Sequence, residues 1–522
     1  MRTCSVCLLL LLTGTTPAIA ASRDGDNAAL ANRLTWGVSS QSLGGPQPGS
    51  AAWLDAQLKH PDDTLPPAIA AQIAAMRISR TPVAQLVVDA DAANRYAGKL
   101  PDVARRDAAR TAYQRDMTAL ANEAAARSLL RDNYAPDQLR EQMTWFWMNH
   151  FSVQAQKRDI RAMVGDYEET VRDHAFGKFR DLLEATLKHP AMLRYLDNDQ
   201  NAAGHINENY AREIMELHSM GVGTDYTQKD VQELARILTG VGVDLSPTAP
   251  KLNPQRQALY LRAGLFEFNP NRHDFGDKQF LGQTIKGSGF GEVETALDLI
   301  ARAPATAHHV SLQLATYFLG DRPPPAVIDR MTAAWRKTDG DIAAVLRAMI
   351  RAPEFRRSPG TRFKDPVQYT VSAVRLMYGD RTILNPQPIL GWLNRMGEGL
   401  YARETPDGFP LESAAWTSPG QMSVRFEIAR QIGSGANALF KPPPPPAATV
   451  APGTMPAVVP AALPLPPVAV LPAPPLPHLQ TAAYYTAIAP RVAWPTKAAL
   501  AQATAPQQWN ALFLSSPDFM RR

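Results

Sequence analysis

The chain has 522 residues, 45% of them hydrophobic and 20% charged, with a formal net charge of +5. That composition is ordinary for a folded protein too long for one small core, and the mild positive excess is not gathered into a basic run with interleaved aromatics, so it does not point to nucleic acid. Both cysteines, Cys4 and Cys7, lie in the first segment, which leaves the rest of the chain without a disulfide, a thiolate metal site or a cysteine nucleophile.

Residues 1–20 read as a secretory signal. Arg2 gives a thin positive start, Leu8 to Leu12 an apolar core, and Ala18-Ile19-Ala20 a small-x-small cleavage site. That run is too short to cross a bilayer, and no later stretch approaches twenty apolar residues. The expectation is an exported protein, periplasmic or extracellular, with no membrane span. From about 24 to 435 the chain predicts helix after helix. Asp102 to Asp132 is rich in alanine, arginine and leucine, and Pro136 opens a helix with Leu139, Met143, Phe146 and His150 on one stripe. Thr227 to Asp230 is a capping box, and Ser418-Pro419 is a helix start with proline at its first position. Between them, near 264–286, Leu265 to Phe268 and Lys278 to Ile285 alternate around a turn-rich stretch and predict a small β-hairpin or extended arm. Pro442 to Pro477 holds fifteen of the 45 prolines and reads as a disordered insertion that favours polyproline II. Residues 481–522 regain helical character. The predicted fold is all-α, a multi-helix globular body with a small β excursion, completed by that last segment.

Three polar groups stand out. In Asn207 to His218 (NENYAREIMELH), a helix places Asn209, Arg212, Glu213 and Glu216 within an arc of about 100°, beside the apolar stripe Tyr210, Ile214 and Leu217. This pattern fits a solvated face with an Arg212–Glu216 pair, a buried network, or a site in which two carboxylates bind a divalent cation or divide acid and base work. His150 on its apolar stripe is either a satisfied core histidine or a ligand or base, with Asn149 beside it to orient a neighbour. His273-Asp274, with Lys278 nearby, sits at a turn; such residues make turns, but adjacent His, Asp and Lys on a loop also suit function. His308-His309 point about 100° apart and are poor joint ligands. His205 and Glu208 supply one His-x-x-Glu arm without the His-Glu-x-x-His of a zincin. No Gly-x-Ser-x-Gly elbow, P-loop, dinucleotide or flavin signature is present.

Several segments occur in an order that resembles the bacterial domain-of-unknown-function family numbered 1800. They are LANRLTWG (30–37), QMTWFWMNHFSV (142–153), HPAMLRYLDN (189–198), NENYAREIMELHSMGV (207–222), YTQKDVQELARILTG (226–240), HDFGDKQFLG (273–282), TPDG (405–408), WTSP (416–419) and the closing SPDF. The resemblance implies an exported, mainly helical protein whose relatives are often encoded beside an exported sulfatase-like family, and no reaction. It places Asn149, His150, Asn207, Glu208, Asn209, Arg212, Glu213, Glu216, His218, Asp230, Arg236, His273, Asp274 and Lys278 on family motifs, and leaves His205 and the proline tract outside the pattern.

Two readings follow. One is a hydrolase-like or metal-assisted enzyme acting on an envelope or extracellular polymer such as a polysaccharide. His150, Glu213, Glu216, His273 and Asp274 would be its catalytic set, and Asn149, Asn209, Arg212 and Lys278 its substrate-binding set, with a divalent metal compatible but no ligand set fixed. The other is a non-catalytic helical scaffold working with an exported, sulfatase-like partner. The enzyme reading expects His150, Glu213 and His273 to converge, because uncompensated burial of such groups costs several kcal/mol.

Overall fold

The computed structural model describes residues 28–39, 48–59, 62–357, 360, 362–442, 479 and 484–522. The expected signal (1–20) and the proline tract beyond Pro442 lie outside the described residues. Helices dominate, and the strands are confined to 241–285. No described helix is long and apolar enough to cross a membrane.

Two helices form the centre. In Gln138–His150 every residue from Gln138 to Met148 is buried, and in Pro366–Tyr378 all but Leu376 are. Helices buried on all sides must satisfy their polar side chains internally. Gln142 does so by donating to Gln368 Oε1 at 2.7 Å and accepting from the Tyr317 hydroxyl at 2.6 Å and Arg522 Nη1 at 3.1 Å. Phe363 pairs with Arg521, so the last residues are built into the body. Around this centre pack Val103–Tyr134, capped by Asp102, and Pro304–Leu319. Pro419–Gly433, capped by Ser418, packs on Pro506–Leu514. The Thr227–Asp230 capping box is present at the head of Gln228–Ile237.

The β excursion consists of two small antiparallel sheets. β1 (Val241–Val243), β2 (Leu261–Ala263) and β3 (Phe266–Phe268) form one, in the order β1-β3-β2. β4 (Lys278–Phe280) and β5 (Gln283–Ile285) form a two-residue hairpin around Leu281 and Gly282. The two alternating stretches therefore do not pair with each other as expected; β3 finds its partners upstream, with Val241 opposite Phe268.

Candidate functional site

His150 ends the central helix, where its imidazole is packed edge-on against Phe151 and Trp147, with ring centroids 4.7 and 5.5 Å away. Its Nε2 lies 3.0 Å from the carbonyl oxygen of His218. A carbonyl only accepts, so Nε2 carries the proton and Nδ1 keeps its lone pair. Burial drives the His150 pKa down to about 3, against the pull of the His218 carbonyl. His309 is likewise lowered by burial and bonds the neighbouring Leu217 carbonyl. Leu217 and His218 follow the helix Asn209–Glu216, so two imidazoles serve consecutive carbonyls at its C-terminal end, where intrahelical donors run out. His218 itself is fully buried, with Nε2 unpaired.

Facing these residues is the loop that carries TPDG. Asn149 holds it with a two-point clamp, donating to the Phe409 carbonyl at 2.9 Å and accepting from the Phe409 amide at 2.7 Å. Gly408 has φ +72°, and a Cβ there would sit 2.2 Å from the Asn149 carbonyl oxygen, so this approach requires glycine. The Tyr195 hydroxyl bonds the Glu404 carbonyl and the Trp416 indole the Pro410 carbonyl. Arg403 grips both Asp407 oxygens, at 2.8 and 2.9 Å.

Between helix end and loop lies a cavity of about 480 Å³ whose wall includes Asn149, His150, Glu216, His309, Asp407 and Phe409. Its acidic groups differ in environment. Burial alone would raise the Asp407 carboxyl, but hydrogen bonds from Arg403 and Thr405 outweigh it and hold the group below its ordinary value. Glu213, on the same helix as Glu216 but not in the wall, is pushed up by burial, with the charges of Glu216 and Asp407 adding to the shift and Arg212 opposing it. Glu216 is 3.2 Å from Arg212 Nη1. Glu213 and Asp407, from different segments, are thus shifted in opposite directions. Among the described residues no three His, Cys, Asp or Glu side chains are gathered so as to hold a metal ion.

The remaining sequence candidates lie outside this cavity wall. Arg212 forks between Glu208, Glu216 and Gln228 on the surface, and Asn209 donates to the Leu196 carbonyl. His273 sits in a second, closed cluster. Its Nε2 lies 2.9 Å from Glu292 Oε1, its Nδ1 2.8 Å from the Thr239 carbonyl, and Lys278 Nζ 2.5 Å from the other Glu292 oxygen. Glu292 also accepts the amides of Ser288 and Gly289 at the head of the helix Phe290–Arg302. Asp274 pairs with Arg236. None of His273, Asp274 and Lys278 is in the cavity wall, and every hydrogen-bond partner of His273 belongs to its own cluster. Asp407 was missed, although the TPDG motif was an available signal, and His309 had been set aside together with His308 as poor joint ligands.

The cavity wall therefore draws on QMTWFWMNHFSV, NENYAREIMELHSMGV and TPDG together with the helix Pro304–Leu319, which brings His309 and Gln313, while HPAMLRYLDN and WTSP brace the loop. A family described as protein of unknown function (DUF1800) matches residues 29–521, nearly the whole chain. The chain belongs to the DUF1800 family. No curated protein and no solved structure matches it. In this DUF1800 chain three of the ordered motifs line one concavity, which makes that concavity the candidate site.

Proposed function

We propose that the DUF1800 cavity is a hydrolytic site for an extracytoplasmic polymer of the polysaccharide class. The observation that carries this reading is the placing of Asp407, gripped by Arg403, and Glu216 in the wall of one cavity, with Glu213, whose carboxyl burial pushes up, one turn from Glu216 on the same helix. Asp407 activates water. The Glu213–Glu216 pair delivers a proton to the leaving oxygen, with Glu216 at the wall. His150, neutral at any physiological pH, offers its Nδ1 lone pair to a substrate hydroxyl. The secretory signal expected in the first twenty residues supports a substrate outside the cytoplasm. The test is a screen of the purified full chain against neutral and sulfated polysaccharides, followed by E216Q and D407N. Each variant should lose about 100-fold or more of turnover while keeping the wild-type circular dichroism spectrum. Wild-type turnover in both variants would rule the site out.

A second reading, a scaffold acting with an exported sulfatase-like partner, draws on the closed pairing of His273, Lys278 and Glu292 and on Val222, 71% exposed at the cavity rim. Co-purification of a sulfatase-like protein that V222D abolishes would favour it.

A further inference from the structure

A second concavity of about 400 Å³ lies beside the helix Pro366–Tyr378, and both Lys364 and Ser372 line it. Lys364 precedes that helix and is 1% exposed; Ser372 stands in its second turn and is 2% exposed. Lys364 Nζ is 3.0 Å from Ser372 Oγ, its only hydrogen-bond partner among the described residues, and 3.9 Å from the centre of the Phe519 ring. Gly37 makes room for the serine: at φ +96° its Cα approaches so closely that a Cβ would lie 2.6 Å from Ser372 Cβ. Neither Lys364 nor Ser372 takes part in the acid–base cavity.

We propose that Ser372 and Lys364 form a nucleophile–base pair that hydrolyses carboxylic esters in this pocket. A buried lysine with one hydroxyl for a partner is costly as a structural device. The charged groups that act on it most are Arg522 and Arg425, both cationic, and the anion Asp365, while Arg491, Arg521 and Asp518 line the same pocket. Burial first, then the two arginines, push its pKa well below the ordinary value, so its amine is available as a base. In the resting arrangement Ser372 Oγ also lies 3.0 Å from the Tyr369 carbonyl, and rotation of the hydroxyl hydrogen from that oxygen to Nζ sets up attack.

The chemistry closes on itself. The Ser372 hydroxyl proton passes to Lys364 Nζ as Oγ bonds the acyl carbon. The ester C–O bond then breaks, and the leaving alkoxide takes the proton from Nζ. Water, deprotonated by Lys364, attacks the acyl-serine, and the returning proton regenerates Ser372, so one ester and one water yield one acid and one alcohol. Val38, Leu376, Ile488 and Phe513 on the wall suit an apolar acyl group.

The test uses the full chain and a fluorophosphonate, which phosphonylates an activated serine with loss of fluoride. A single adduct on the peptide that contains Ser372 is expected. S372A should abolish it and lower p-nitrophenyl butyrate hydrolysis about 100-fold or more. D407N, which disables only the acid–base cavity, should label as the wild type does. Labelling of the wild type should reach its plateau well below pH 10.5, the ordinary lysine value, which tests the base without replacing Lys364. A folded wild type with no adduct on Ser372, or a plateau reached only above pH 10.5, overturns the proposal.

Discussion

His150 Nε2 meets the carbonyl of His218 at 3.0 Å, and the hydrogen bond fixes the tautomer of a histidine that also lines the candidate cavity. The same contact links the ends of two helices, Gln138–His150 and Asn209–Glu216, far apart in sequence. One imidazole thus has a structural nitrogen and a free one.

The three imidazoles make stability sensitive to mild acid. His150, His218 and His309 all have folded-state pKa values below the ordinary 6.5, chiefly through burial, and that of His150 is about 3. An unfolded chain takes up these protons as pH falls through 6.5, and the folded one does not. Stability is therefore full above 6.5 and falls as the pH drops below it, for His150 down to about 3 at roughly 1 kcal/mol per pH unit. Urea denaturation at pH 7.5, 6.5 and 5.5 should show a steepening loss, reduced in H150Q. A flat profile would mean that these rings protonate in place.

Local signals carried the helices. The Thr227 capping box and the Ser418-Pro419 start depend on residues within one turn of each other, and both are present. Phe266–Phe268 was legible as a strand but not its partners, since alternation says nothing about which strand lies opposite. His273 shows the same limit at the site. Its polar partner Glu292 lies 19 residues on, in an unremarkable amphipathic helix, and only folding reveals that the two are buried together. Asn149 was legible as a residue that orients a neighbour; that the neighbour is the backbone of Phe409, 260 residues away, was not.

The His273 cluster should behave as a stability element. Glu292 is fully buried, and although burial opposes its charge, hydrogen bonds from His273 and Lys278 keep it ionised. E292Q would leave the Lys278 ammonium buried without its counter-charge, a loss of about 3–5 kcal/mol. Chemical denaturation measures it directly; a change under 1 kcal/mol would mean the cluster is hydrated and open.

The clamp on the TPDG loop should be separable from the fold. N149A removes both hydrogen bonds to Phe409 and leaves two backbone groups to find water, at about 1–3 kcal/mol. Amide exchange at Phe409 should accelerate while exchange in Pro366–Tyr378 stays slow. Equal acceleration in both would show that Asn149 supports the whole core and not this loop.

Glu213 supplies the sharpest test of whether the acidic cluster was built for folding or for chemistry. Its carboxyl is raised above 4.5 by burial, with Glu216 and Asp407 adding to the effect. A folded-state pKa above the unfolded one means that the folded protein holds the proton more tightly. Ionisation at neutral pH therefore works against folding, and stability grows as pH falls through the raised value toward 4.5. E213Q removes the repulsion while keeping size and polarity. The variant should have a Tm at pH 7 equal to or above the wild type, and its stability should depend less on pH between 4.5 and neutrality. If the cavity is catalytic, the same change lowers turnover, the signature of a group kept at a cost to the fold. A clear drop in Tm at pH 7 would place Glu213 in a stabilising network instead, and the acid–base reading would lose its proton donor.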